Sequence, residues 1–366
     1  MSYNVLAQSL LETHSFLYEE CERQCLLWEN RSKLLYQEII DQSPDILCIQ
    51  ELESSQVKSF FSKFEEIGYY GLYKKKTSKG IDGCGIYFKK DYFKVEDVVN
   101  VEFYQPKVSI LNQHHVGIIA KLSSLNMPGK PFVIANTHLV YNPRKMVVRL
   151  AQLRIFLAEI DRVSYVFNGR DSGYLPIILL GDFNSYPNSV IVKFLDEGQI
   201  DTNLDWNNNE WSNIGITDNC QHLSVYLNRK EGRHTNFREL QIYNSVYSHP
   251  SRLYDRQGSF PAKVFNHAKF KEMFNSGILS HPFHFRSVYD TMRRQNNLYI
   301  EMSKYSHYVL VDYIYYNACS GLRPLERLHQ FTDQESRELG HLPNKVHGSD
   351  HIPLVAVFEL SSEKSY

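Results

Sequence analysis

Pro176-Ile177-Ile178-Leu179-Leu180-Gly181-Asp182-Phe183-Asn184 is the stretch that decides the architecture. Its apolar run is too short for a helix and rich in strand formers, so it predicts a buried strand that stops at Gly181. Asp182 and Asn184 are two residues apart, which on an extended chain places both side chains on one face. A carboxylate and an amide presented together at a strand end could hold a phosphate and a water. A plain strand-ending turn uses the same residue types, since Gly, Asp and Asn all favour turns. The neighbouring segments must decide between the two readings.

Working outward, residues 146–163 predict an amphipathic helix before this strand, and residues 188–195 a short helix after it, stopped at Gly198. Ile46-Leu47-Cys48-Ile49-Gln50 predicts a second buried strand, ending in Glu51. Before it, Leu34, Leu35, Ile39 and Ile40 make a helical stripe within residues 31–41, closed by the turn Ser43-Pro44-Asp45. After it, Ser54 or Ser55 caps a helix carrying Val57, Phe60, Phe61, Phe64 and Ile67, with Gly68 as its stop. Residues 1–6, 83–88, 116–122, 132–137, 309–316 and 353–360 also read as strands. The alternation predicts α/β architecture. From about residue 199 to 305 the periodicity weakens into Asn-, His-, Ser- and Tyr-rich sequence, which reads as a long insertion within one domain spanning 1–366. Because the chain enters a strand with no lead-in, its start is expected to be truncated relative to its natural relatives.

The 366 residues are 43% hydrophobic with a net charge of -1, so a large core is affordable and no global field draws nucleic acid or membrane. A nucleic-acid partner would need local basic patches. Six cysteines without C-x-x-C spacing suit a reducing compartment and argue against structural zinc. With neither a signal-peptide pattern nor an apolar run of membrane-spanning length, an intracellular protein is expected, cytoplasmic or nuclear.

Polar residues recur at or near the strand ends: Asn4, Gln50-Glu51, Asn136-Thr137-His138, Asp182 with Asn184, Asp312, and Ser349-Asp350-His351. Each has an ordinary explanation, such as a helix cap at Glu51, a satisfied strand-end histidine at His138, a buried acceptor at Asp312, or a turn at Asp350-His351. Their joint convergence would support phosphate-ester hydrolysis. Mg²⁺, or Mn²⁺ in its place, takes one or two carboxylates and keeps water and substrate phosphate as its other ligands. Glu51 suits that ligand, with Asn4 and Asp350 near it. Asp182 would accept a proton from the attacking water, and Asn184 would orient that water. His351 would stabilise phosphoryl charge with its tautomer fixed by Asp312, and His138 would donate to another oxygen.

With these residues in place the chain resembles the endonuclease–exonuclease–phosphatase superfamily and, within it, the angel family, relatives of nocturnin and the carbon-catabolite-repression deadenylases. The motifs are Ser2-Tyr3-Asn4-Val5-Leu6, Leu47-Cys48-Ile49-Gln50-Glu51, Asp82-Gly83-Cys84, Ala135-Asn136-Thr137-His138-Leu139 and Tyr141-Asn142-Pro143-Arg144. Gly181-Asp182-Phe183-Asn184-Ser185, Val311-Asp312-Tyr313-Ile314 and Ser349-Asp350-His351-Ile352-Pro353-Leu354 continue them in family order. The resemblance implies two mixed β-sheets packed face to face and flanked by helices, a Mg²⁺ site at one edge, and RNA as substrate. It implies Glu51 as metal ligand and Asp182, Asn184, Asp312 and His351 in catalysis. Ser306-His307-Tyr308 stands where the poly(A) nucleases carry Phe-x-Gly. That departure favours removal of a terminal or 2′,3′-cyclic phosphate from mRNA or tRNA 3′ ends over 3′-to-5′ deadenylation.

Lys74, Lys75, Lys76 and Lys79 read as a basic loop which, with Arg144 and Lys145, could track an RNA backbone; a solvated lysine loop is the bland alternative. Arg293 and Arg294 are further basic candidates, and Tyr243, Tyr247 and Tyr308 are candidates for base stacking. Two rivals remain at this stage. An inositol- or sphingolipid phosphatase lacks support from the charge balance and from any membrane-facing segment. A non-catalytic RNA-binding module should have lost some of the five catalytic candidates, and all are present.

Overall fold

Successive residues of the strand Ile177–Asp182 alternate between two cores. Ile177 and Leu179 belong to one, while Leu180, with Ile178 packed beside it, belongs to the other. A strand buried on both faces in this way must be the middle of a sandwich. The computed structural model describes residues 1–106, 108–202, 208–234, 267–289 and 309–361.

β1 (Ser2–Asn4), β2 (Ile46–Glu53), β3 (Tyr69–Lys75) and β4 (Asp82–Lys89) form a four-stranded sheet in the order β1-β2-β4-β3, with β1 parallel to β2 and the other pairs antiparallel. The second sheet takes β5 (Phe93–Glu102), β6 (Val116–Ser124) and β7 (Pro131–His138). A small pair, β8 (Tyr165–Phe167) and β9 (Ser172–Tyr174), precedes β10 (Ile177–Asp182). Another, β11 (Gln199–Asp201) with β12 (Ile278–Ser280), precedes β13 (Phe285–Ser287) and β14 (Asp312–Asn317). The six-stranded order is β13-β14-β10-β7-β6-β5, with β10 parallel to β7. β15 (Leu322–Arg327) and β16 (Ala356–Leu360) pair antiparallel.

Cys48, Cys84, Ile86 and Phe88 from the first sheet meet Ile118, Ala120, Ile134, Leu180 and Ile314 from the second. Two mixed sheets packed face to face are therefore observed, as expected. A polar staple crosses the same layer. Gln50 Nε2 donates to Asn136 Oδ1 at 2.7 Å, and Asn136 Nδ2 donates to the carbonyls of Ile49 and Gly85, each at 2.9 Å. Gln50 and Asn136, read from sequence as strand-end groups, instead pair with one another inside the sandwich, and only Gln50 Oε1 of the two side chains is left without a partner among the described residues.

β1 leads into the short α1 (Gln8–Thr13). Outside the first sheet, Leu35 and Ile39 of α2 (Trp28–Gln42) and the cluster Phe60, Phe61, Phe64 pack on Leu47, Ile49 and Tyr87. Each such fully buried ring contributes about 1.5–3 kcal/mol. The helix expected over this aromatic stretch is broken into α3 (Ser54–Ser59) and α4 (Ser62–Glu66), and its N-cap is Glu53 without a side-chain cap. The break lets Phe60 meet Trp28 and Tyr36 while Phe61 and Phe64 stack toward Tyr87.

Outside the second sheet lies α5 (Met146–Ser164), followed by α6 (Val190–Glu197), which stops at Gly198 with φ +77°. The sequence predicts an amphipathic α5, yet every residue from Arg149 to Ser164 is buried. Its polar face is covered by α7 (Asn208–Ile214), α8 (Leu223–Lys230) and the helix His267–Phe274, and is matched charge by charge. Arg154 bonds Asp218 at 2.9 Å, Glu159 bonds Arg162 at 2.6 Å and His222 at 2.8 Å, and Asp161 bonds Arg229 at 2.8 Å. Residues expected as insertion thus build this covering layer, and β13 extends the six-stranded sheet. Arg293, Arg294, Tyr243, Tyr247 and the stretch 306–308 lie outside the described residues.

Candidate active site

Three adjacent strands bring one row of polar side chains to the sheet end. Asp182 of β10 is in register with His138 of β7 on one side and with Asp312 of β14 on the other. Gly181 makes the close approach feasible: its φ is +135°, and a Cβ there would lie 1.9 Å from the Thr137 carbonyl oxygen. The four-stranded sheet adds Glu51, which sits where β2 slips register against β4 between Ile49 and Leu52. Such a bulge re-aims a side chain, and Glu51 adopts φ +57° there. Asn184, at φ +49°, is a second non-glycine residue in left-handed conformation. Strain of this kind persists where surrounding contacts over-determine it, often at active sites.

Those contacts are present. Asn4 Nδ2 donates to Glu51 Oε1 at 3.2 Å and to Asp182 Oδ2 at 3.0 Å, bridging the two sheets. The Ala7 amide donates to Glu51 Oε2 at 2.9 Å. The Asn184 amide donates to Asp182 Oδ1 at 2.8 Å, and Asn184 Nδ2 donates to the Leu139 carbonyl at 2.9 Å. His138 Nε2 lies 3.5 Å from Asp182 Oδ2 and 3.9 Å from Glu51 Oε1. His351 Nδ1 pairs with Asp312 Oδ2 at 2.7 Å, leaving Nε2 facing Asp182 Oδ2 at 3.9 Å and Asp350 Oδ1 at 4.0 Å. Residues from Asn4 to His351 therefore meet at one edge of the sandwich.

Burial and the neighbouring Asp312 raise the Asp182 carboxyl to about 7, against the pull of His351. Burial and then Asp350 raise Glu51 as well, with Lys76 opposing. For His351 burial acts downward, but the charge and hydrogen bond of Asp312 outweigh it and hold the imidazolium well above its usual range. His138 is pushed the other way by burial, Lys76 and His115, so it is neutral.

Glu51, Asp182, Asp312 and Asp350 crowd one edge, and the buried Asp312 Oδ1 has no hydrogen-bond partner among the described residues. Glu51 and Asp182, raised by burial and by neighbouring carboxylates, fit a hard divalent cation, whose charge would relieve both effects. Asp182, Asp312 and His351 each offer a ligand atom within 4.8 Å of the others. His351, held as an imidazolium by Asp312, has no lone pair to offer, so the Glu51 and Asp182 side of the cluster, braced by Asn4 Nδ2, is the better cation seat.

The expected basic loop is a loop only in its second half, since Lys76 and Lys79 lie in the β3–β4 connection. Lys74 and Lys75 belong to β3, Lys74 is ion-paired with Glu102, and Lys76 with Asp82 at 2.6 Å. Lys75 is exposed, while Lys76 turns toward Glu51 and His138 and biases both. Arg144 and Lys145 lie in the turn Pro143–Lys145, with Arg144 exposed.

Three supporting residues escaped the sequence reading. Tyr18 donates to Asp350 Oδ2 at 2.8 Å. Arg31, fully buried, donates to the carbonyls of Val5 and Leu6 at 2.6 Å each and to that of Gly348 at 2.7 Å, tying both chain ends of the site together. Its position on the buried stripe Arg31, Leu35, Ile39 was the available signal. Arg149 donates to the carbonyls of Val140, Tyr141, Asn142 and Pro143, fixing the loop after His138.

Comparison with known proteins adds to this geometry. The Endonuclease/Exonuclease/phosphatase family matches residues 1–351. Protein angel homolog 2 of Homo sapiens is 31% identical over 401 residues, covering 98% of this chain and 69% of its own length. The crystal structure of ANGEL2, a 2′,3′-cyclic phosphatase, in complex with adenosine-2′,3′-vanadate is similar at TM-score 0.73 and 29% identity, over 98% of this chain and 94% of that one. The human nocturnin catalytic domain with bound sulfate anion shares the fold at TM-score 0.55 and 20% identity, over 98% and 92% of the two chains.

Proposed function

This chain belongs to the endonuclease/exonuclease/phosphatase family, and we propose that it is a divalent-metal-dependent phosphatase that removes 2′,3′-cyclic phosphate from RNA 3′ ends. The observation that carries the reading is the single Asp182 carboxylate. Asn4 and Asn184 bond it, and His138 and His351 stand within 4 Å of it. Likeness to a cyclic phosphatase over almost the whole chain supports the choice of substrate.

Asp182 takes a proton from the attacking water, and Asn184 holds Asp182 and the water in line. The protonated His351, oriented by Asp312, stabilises charge on the phosphoryl oxygens, and neutral His138 donates one further hydrogen bond. One water opens the ring to a monoester, and a second releases inorganic phosphate and leaves the diol. Glu51 would hold Mg²⁺ or Mn²⁺, and Asp350 would bind its water shell. Asn4, expected from the sequence as a ligand, instead orients the Glu51 carboxylate through Nδ2, because its Oδ1 accepts from the Leu6 amide. A bound cation supplies Lewis-acid neutralisation of the phosphoryl oxygens.

Lys76, Arg144 and Lys145 border the entry for the RNA backbone, and mRNA or tRNA ends are the natural substrates of such a site. An intracellular location, cytoplasmic or nuclear, follows from that substrate, and six unpaired cysteines suit it. No helix among the described residues is long and apolar enough to cross a membrane. We read residues 1–366 as one domain. Assaying an oligonucleotide ending in 2′,3′-cyclic phosphate, poly(A) and a soluble inositol phosphate tests the reading. Turnover of the first is expected; turnover of the inositol phosphate alone would refute RNA as substrate.

A further inference from the structure

Beyond the phosphate-handling residues, the same edge carries an aromatic pair with no assigned role. Tyr104 is 38% exposed, yet its ring is held parallel to that of His114, with centroids 4.5 Å apart and planes 15° from one another. His114 is itself latched: its Nδ1 meets Thr77 Oγ1 at 2.6 Å. An exposed tyrosine stacked on an imidazole that is fixed from behind loses little freedom when a further ring stacks on it.

The pair is tied to the catalytic row through its neighbours. His115, the next residue, meets His138 edge to face at 5.9 Å between ring centroids. Thr77 follows Lys76, whose charge reaches Glu51, His138 and His115, and the charge of Lys145 reaches His115 as well. Lys79 is exposed in the same β3–β4 connection. The charges of Lys76 and Lys145 are thus felt at His115, which touches His138, and His114 of the flat Tyr104–His114 surface is one residue along the chain from it. A single strand presents both backbone phosphates and π-faces.

We infer that Tyr104, backed by His114, is a nucleobase-stacking subsite for a base upstream of the RNA 3′-terminal nucleotide, with Lys79 and Lys145 along the intervening backbone. This rests on the cyclic-phosphatase reading and deepens it by making the preferred substrate an oligonucleotide rather than a mononucleotide. Because every base has a π-face, the subsite selects chain length and not sequence.

The test compares hydrolysis of a nucleoside 2′,3′-cyclic phosphate with that of a short oligonucleotide ending in the same group, for the unaltered protein, Tyr104→Ala and Tyr104→Trp. Loss of one stacked base is expected to raise KM for the oligonucleotide roughly 5- to 100-fold in Tyr104→Ala, with kcat and all mononucleotide kinetics unchanged. Tyr104→Trp should restore the low KM, which a merely structural defect would not allow. If the unaltered protein hydrolyses both substrates and Tyr104→Ala leaves their KM ratio unchanged, the subsite is refuted while the phosphatase reading stands. If the unaltered protein hydrolyses neither, it is the phosphatase reading that fails.

Discussion

Asp182 and Asp312 lie opposite each other on neighbouring antiparallel strands, and only Asp312 is hydrogen-bonded to His351, at 2.7 Å. One register position therefore yields two different carboxyls. Asp312 holds an imidazolium, whereas burial and the facing Asp312 charge raise Asp182 to about 7. Environments that push paired groups apart assign acid and base roles.

Asp182 should make stability fall with pH in the absence of divalent cation. Its folded value of about 7 exceeds the ordinary 3.8, so between these values the folded state holds the extra proton. Its stabilising contribution is full below about 4 and lost as pH rises through about 7. Tm measured against pH should decline in that window and flatten in Asp182→Asn. An identical slope in the variant would contradict the assignment.

Asp312→Asn should shift both limbs of the pH–rate profile downward. Loss of the facing charge lowers Asp182, so the base form appears at lower pH; loss of its partner lowers His351, so the imidazolium disappears at lower pH. A profile of kcat/KM against pH reads both limbs at once. A simple fall in rate with unmoved limbs would mean that Asp312 does not act on these two groups.

Gly181→Ala should destabilise the fold by more than about 3 kcal/mol, because the added methyl meets the Thr137 carbonyl at a φ side chains avoid. Denaturant unfolding measures this, and a loss under about 1 kcal/mol would mean that β7 and β10 have room to part.

Arg31→Met keeps much of the volume but abandons the carbonyls of Val5, Leu6 and Gly348. Buried acceptors left unsatisfied cost about 1–3 kcal/mol each. The expected result is marked destabilisation by urea titration together with lost turnover, since the segments bearing Asn4 and His351 part company. Full activity in a folded Arg31→Met would show that Asn4 and His351 are held by other contacts.

Much of this was legible in the chain itself. The apolar run 176–180 and the alternation of strands and helices were enough to foresee a buried central strand and α/β architecture. The family resemblance supplied the face-to-face sheets, and polar residues placed at strand ends gathered Asn4, Glu51, His138, Asp182, Asn184, Asp312, Asp350 and His351. What pattern could not give was lateral partnership. Gln50 and Asn136 look like site residues until the opposite sheet is known, because a strand end and a strand interior share one local signature. α5 looked amphipathic because its buried Glu159, Asp161 and Arg162 find their partners far along the sequence or within a hidden turn. Lys74 and Lys75 looked like part of the loop because charge resembles solvation, although they belong to β3 and Glu102 neutralises Lys74.

The account is tested most directly by product analysis of one RNA ending in 2′,3′-cyclic phosphate, with Mg²⁺ or with chelator, using the unaltered protein and Asp182→Asn. It predicts inorganic phosphate and a diol-ended RNA with Mg²⁺, no product with chelator, and a rate at least roughly 100-fold lower for Asp182→Asn. Turnover by Asp182→Asn at the unaltered rate, or turnover indifferent to chelator, would contradict it.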